Sequence, residues 1–124
     1  MRLAYTARNF ERAVAFYRDT LGMSVVSQWD RADGRGAILD TGAGGGGTAL
    51  VEVFGAPSGT AYDGAGPVGT VLMLEVPDVD ALYQRLVDAG MQPGTLEDRP
   101  WGRVFRVNDP EGLAIDVYRR VPAP

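Results

Sequence analysis

The amino-acid sequence predicts an α+β fold made of two tandem βαβββ modules. Three observations lead there. The run Ala49-Leu50-Val51-Glu52-Val53-Phe54 matches Leu113-Ala114-Ile115-Asp116-Val117-Tyr118 position for position, each with one acid at the same place. A helix-like segment precedes each run, Asn9 to Gly22 and Asp78 to Gly90, so one unit is written twice. Seventeen glycines and eight prolines break the rest of the 124 residues into short pieces, as strands joined by turns require.

Each element has a local reason. Strands are expected near residues 2–7, 23–29, 35–40, 48–54, 69–76, 92–97, 103–108 and 113–119, the stretches rich in β-branched and aromatic side chains between turn residues. The first helix starts at Asn9, whose side chain can cap free amides, and Ala13, Phe16, Tyr17 and Leu21 recur at helical spacing before Gly22 stops it. The second starts at the cap Asp78, with Leu82, Leu86 and Val87 as its buried stripe and Gly90 as its stop. The first module is longer between helix and acid, and the glycine run Gly42 to Gly47 is the insertion that absorbs the difference. Residues 55–69 read as a linker between a first module over about 1–55 and a second over about 70–120, all within one domain.

Composition sets the class. A chain 45% hydrophobic at this length buries a real core. No run approaches the roughly 20 apolar residues that span a bilayer, and no apolar secretion signal opens the chain, so a cytoplasmic protein is expected. A net charge of −4 with scattered basic residues offers no stripe for phosphates, which argues against nucleic acid. With no cysteine and no histidine, disulfides, thiolate chemistry and the Ser-His-Asp and Cys-His sets are excluded. Gly42, Gly44 and Gly47 satisfy G-x-G-x-x-G, but a strand follows where a phosphate-binding loop needs a helix N-terminus; the run is expected to be a hairpin loop.

Duplicated modules pack about a two-fold axis, so Glu52 and Asp116 are candidates to face one shared cavity. On strand alternation Leu50 and Phe54 share a face with Glu52, and Ala114 and Tyr118 share one with Asp116, while Val71 and Met73 are expected on the opposite wall. Trp29, Tyr62 and Trp101 fall on strand ends or loops, where large rings meet ligands. Arg99-Pro100-Trp101-Gly102 in particular is a loop able to hold an indole, and Phe105 joins the aromatic lining.

The segment Glu11 to Met23, with Phe16-Tyr17 followed by Leu21-Gly22, and the closing stretch Trp101 to Tyr118, with its turn Asp109-Pro110-Glu111-Gly112, resemble the vicinal-oxygen-chelate superfamily. That superfamily includes glyoxalase I, extradiol dioxygenases, fosfomycin-resistance proteins and bleomycin-binding proteins. The resemblance covers nearly the whole chain. It implies sheets curled around a shared cavity with the helices outside, and a homodimer that in some relatives exchanges modules, which would build one pocket from Glu52 and Asp116 of different chains.

In its enzymes the cavity holds a divalent metal, and the corresponding positions here are Arg2, Glu52, Val71 and Asp116. Arginine has no lone pair to give and valine is a hydrocarbon, so two of four positions cannot ligate. Two carboxylates beside a guanidinium make a poor transition-metal site; a weak Mg²⁺ or Mn²⁺ site with waters is the residual option. Arg2 is expected to lie near both acids and stand roughly where the metal would, because without a cation two adjacent carboxylates would push one pKa upward. The implied function is a small-molecule-binding protein without metal or other cofactor, sequestering an antibiotic or other planar, partly aromatic natural product. Glu52, Asp116, Arg2, Trp101, Trp29, Phe54, Leu50, Met73, Phe105 and Tyr118 are its candidate ligand contacts. The alternatives are a lyase, isomerase or dioxygenase using Glu52 and Asp116, and a purely structural or regulatory dimer module.

Overall fold

The structure is a computed structural model and describes residues 2–40, 42, 50–67 and 69–121. Its order is β1 (Arg2–Ala7), α1 (Phe10–Ala15) running on as a π-helical segment (Phe16–Thr20), β2 (Ser24–Arg31), β3 (Gly34–Asp40), β4 (Leu50–Gly55), β5 (Val71–Glu75), α2 (Val79–Asp88), β6 (Glu97–Arg99), β7 (Gly102–Asn108) and β8 (Ala114–Arg120). The expected α+β fold of two βαβββ modules is what forms. Each module makes its own four-stranded sheet, ordered β1-β4-β3-β2 and β5-β8-β7-β6, with the β1–β4 and β5–β8 pairs parallel and the others antiparallel.

Alternation decides what each sheet buries. Val51 and Val53 on β4, Ala37 and Leu39 on β3, and Ile115 and Val117 on β8 point to the helices and are fully buried. These side chains join Tyr17, Leu86, Phe105 and Leu113 in one core. The opposite face of each sheet, turned away from the buried valines, carries the acids and the exposed rings.

Three expectations are corrected. The strand expected at 92–97 is limited to Glu97–Arg99: Pro93 brings no amide to a ladder, and only Gly94 N reaches the Arg106 carbonyl, at 2.7 Å. Val87 is exposed at 40%, because α2 turns Val79, Leu82, Tyr83 and Leu86 to the core, the true i, i+3, i+4, i+7 stripe, with Val79 and Leu86 buried and the other two partly so. Phe105 belongs to the core: it is 2% exposed, on the helix side of β7, edge-on to Tyr83 at 5.3 Å. The Gly42 to Gly47 run, Gly42 excepted, lies outside the described residues, as does the expected strand start at residues 48 and 49.

The turn Asp109-Pro110-Glu111-Gly112 fastens the second module to the first. Asp109 is buried and accepts four hydrogen bonds: from Tyr5 Oη (2.5 Å), Tyr17 Oη (2.7 Å), Glu111 N (2.8 Å) and Leu113 N (2.8 Å). The Glu111 carboxylate accepts from Arg8 N and Asn9 N at the start of α1, where a negative charge suits the helix dipole. At the other end of that helix Gly22, at φ 76°, reverses the chain, and Arg85 of α2 donates to the Asp19 carbonyl at 2.9 Å. The second module therefore closes both ends of the first module's helix.

Candidate functional site

Strand register lays out the open face of the first sheet row by row. Arg2, Leu50, Asp40 and Ser24 form one row; Ala4, Glu52, Ile38 and Ser27 the next; Thr6, Phe54, Gly36 and Trp29 the third. Glu52 sits mid-sheet and is 8% exposed, with Arg2 Nη1 at 2.9 Å. Arg2, expected near both acids, pairs with Glu52. One row on, the Trp29 ring lies on Gly36: a Cβ there would come within 2.0 Å of the indole, so only glycine lets the ring rest on the strand. Phe54, 37% exposed, meets that indole edge-on at 6.3 Å, and the Arg31 guanidinium stands over the same ring at 5.7 Å from its centroid. Trp29 is a shared wall of two cavities of about 350 and 300 Å³: the first runs toward α1 and is lined by Phe10, Glu11, Gln28, Asp30 and Ser58, and the second, on the face of Glu52, by Thr6, Arg31 and Phe54.

The second sheet repeats the plan with different chemistry. Its rows are Val71, Ala114 and Asn108; Met73, Asp116 and Arg106; then Glu75, Tyr118, Val104 and Glu97. Asp116 is gripped by its row neighbour Arg106 in a two-point contact, Nε to Oδ1 at 2.6 Å and Nη2 to Oδ2 at 3.0 Å. Trp101, 45% exposed in the turn between β6 and β7, meets Tyr118 edge-on at 5.7 Å. A cavity of about 290 Å³ opens here, lined by Thr95, Glu97, Arg99, Val104, Arg106 and Asp116 among others. Met73 and Val71 are exposed on the same face, and Tyr62 lies outside both sheets with its hydroxyl directed to the Ala65 carbonyl.

Glu52, Phe54, Trp29, Leu50 and Arg2 are thus brought together on one sheet, and Asp116, Tyr118, Trp101 and Met73 on the other. Each acid has its own arginine partner, Arg2 for Glu52 and Arg106 for Asp116, so the expectation of one guanidinium beside both is not met. Three residues were missed in the sequence. Arg106 could have been found by counting across the Asp109–Gly112 turn, since it and Asp116 fall on opposite arms of that hairpin. Gly36 and Arg31 carried no signal, because their role comes from where the indole settles.

A metal of the kind that the fold family uses does not fit these residues. Arg2 and Val71 stand at two of the positions that the resemblance implies for its ligands and neither can ligate, and both oxygens of Asp116 face Arg106. Among the described residues no three His, Cys, Asp or Glu side chains gather as a metal site would need. Among the described residues no helix is long and apolar enough to cross a membrane.

Comparison with known proteins agrees with this architecture. The model of the Glyoxalase/Bleomycin resistance protein/Dioxygenase superfamily matches residues 2–117. TioX from Micromonospora sp. ML1 is 26% identical over 100% of this chain and 98% of its own, with a TM-score of 0.70. TnmS3, an antibiotic-binding protein from Streptomyces sp. CB03234, is 23% identical over 97% and 93%, with a TM-score of 0.76. The trypanothione-dependent glyoxalase I of Leishmania major is 20% identical over 95% and 84%, with a TM-score of 0.73. No curated protein matches the chain.

Proposed function

The chain belongs to the Glyoxalase/Bleomycin resistance protein/Dioxygenase superfamily, and within it we propose a metal-free binding protein that sequesters a flat, partly aromatic small molecule such as an antibiotic. The observation that carries this reading is the Trp29–Phe54 shelf on the uncovered face of the first sheet, with the indole seated on Gly36. Rings fixed by packing before a ligand arrives lose little entropy on binding it, and they offer area rather than chemistry. The likeness to an antibiotic-binding protein supports the same class of ligand.

The ligand contacts in this proposal are Trp29, Phe54, Leu50, Glu52 and Arg2 on the first sheet, and Trp101, Tyr118, Met73 and Asp116 on the second. Phe105 is withdrawn from the set because α2 covers it. A second copy of the chain completes the pocket: Phe54, Val71, Met73 and Trp101 are large apolar side chains exposed on the open faces. Packing the first sheet of one copy against the second sheet of another would cover all four. Sedimentation at increasing protein concentration tests the dimer, and a monomer throughout would remove it.

An enzyme of the same superfamily would need both Glu52 and Asp116 free to take a proton or an ion, and the two-point hold of Arg106 on Asp116 opposes that. The two readings separate in a thermal-shift screen of aromatic natural products and of divalent metals. The binder gains stability from an aromatic compound in proportion to RT ln(1 + [L]/Kd) and gains nothing from metal. Stoichiometric Mn, Fe, Ni or Zn in protein purified without chelator would overturn it.

A further inference from the structure

The two acids that match in the sequence are not equivalent in the fold. Asp116 is held at two points by a side chain from the adjacent row position, whereas Glu52 is held at one point by Arg2, from the outermost strand. Arg2 has a side chain 49% exposed, while that of Glu52 is only 10% exposed. The carboxylate is therefore the fixed element and the guanidinium the removable one. One row away, Trp29 also carries an arginine: Arg31, exposed, stands over its ring. Both electron-rich elements of this face, the carboxylate and the indole, thus meet a guanidinium carried on a long, partly exposed side chain.

We propose that Arg2 and Arg31 occupy the places of a ligand's own positive charge, and that the first sheet binds a planar cation. The ring lies along Trp29 and Phe54, and an amino or amidinium group replaces Arg2 at Glu52. Positions 52 and 54 are about 7 Å apart along the strand, the separation between a fused-ring system and a substituent on its edge. Displacement leaves no charge bare: the carboxylate exchanges one cation for another, and the released arginine returns to water. The Arg106–Asp116 pair does not exchange its cation, since a bidentate contact resists replacement by a single ammonium. This specificity rests on the proposal that the protein binds flat ligands, and goes beyond it by assigning the ligand's charge and its counter-ion.

Titration of the full chain with two dyes tests it: proflavine, a planar cation, and acridine in mildly alkaline buffer, the same ring frame without the charge. Proflavine is expected to bind more tightly than acridine. Glu52→Gln weakens proflavine about tenfold and leaves acridine unchanged, while Arg2→Ala and Arg31→Ala each tighten proflavine several-fold by removing a competitor. Thermal melts without dye check that each variant folds. Should Glu52→Gln fail to fold, the two arginine variants carry the test, because a site that did not need displacement would not tighten. Equal binding of both dyes, with Glu52→Gln without effect or Arg2→Ala weakening proflavine, overturns the cation assignment and leaves the flat-ligand reading standing. Binding of neither dye overturns both.

Discussion

Tyr17→Phe removes one hydroxyl and leaves the ring, and the consequence can be worked from the contacts around Asp109. The lost bond is buried, 2.7 Å long, and made to a carboxylate. Hydrogen bonds to charged groups contribute about 1.5–3 kcal/mol. Asp109 keeps three donors, Tyr5 Oη and the amides of Glu111 and Leu113, so the cost belongs near the lower end, about 1.5–2 kcal/mol. The edge-on contact of Tyr17 with Phe16, at 5.2 Å, survives the change. Urea denaturation followed by circular dichroism measures the difference, which corresponds to a fall in Tm of about 5–8 °C for a domain of this size. The transition should remain single, because the turn that holds Asp109 joins the two modules. A loss below about 0.5 kcal/mol would mean that Asp109 does not clasp the modules together, and two separated transitions would mean that they fold independently.

Alkaline stability follows from the same cluster. Burial first, and then for Tyr5 the Asp109 charge and for Tyr17 the Tyr5 and Asp109 charges, raise both phenols above their ordinary 10.0. A raised folded pKa gives stability that is whole below the unfolded value and is lost as pH climbs past it, so unfolding should set in above about pH 10. A Tyr5→Phe/Tyr17→Phe variant should be less stable at neutral pH and flatter in alkali; an unchanged alkaline limb would refute the assignment. Gly36→Ala places a methyl within 2.0 Å of the Trp29 ring, so the indole must leave the strand. In a Trp101→Phe background its fluorescence should shift to the red, at a stability cost of about 1–3 kcal/mol, and an unmoved spectrum would place the ring elsewhere. Phe105→Ala should cost about 3–5 kcal/mol through the cavity it leaves between α2 and β7, and a near-neutral result would return Phe105 to the ligand face.

The fold was legible because its signals are local and come twice. Helix caps at Asn9 and Asp78 and the closing strands around Glu52 and Asp116 appear in the structure where the spacing puts them. The site was legible by face but not by partnership. Strand alternation placed Leu50, Glu52 and Phe54 together, and Asp116 with Tyr118, because the period of two is a property of the backbone. It gave no account of which cation each acid takes. That depends on strand order: Arg2 reaches Glu52 because β1 lies beside β4, and Arg106 reaches Asp116 because β7 lies beside β8. Phe105 was misplaced for a related reason, since a single aromatic in an alternating strand shows no preference until the helix side is known. The Asp109 cluster was present as two separate motifs, Phe16-Tyr17 and Asp109-Pro110-Glu111-Gly112, and only the packing of one module on the other joins them.

The most direct measurement is the melting temperature of chelator-treated protein titrated with planar aromatic compounds, proflavine among them, with and without added divalent metal. A binding protein whose open sheet face takes flat ligands unaided should gain stability with rising ligand concentration, by the same amount in both series. A gain that appears only when metal is restored, or no gain from any such compound, would contradict it.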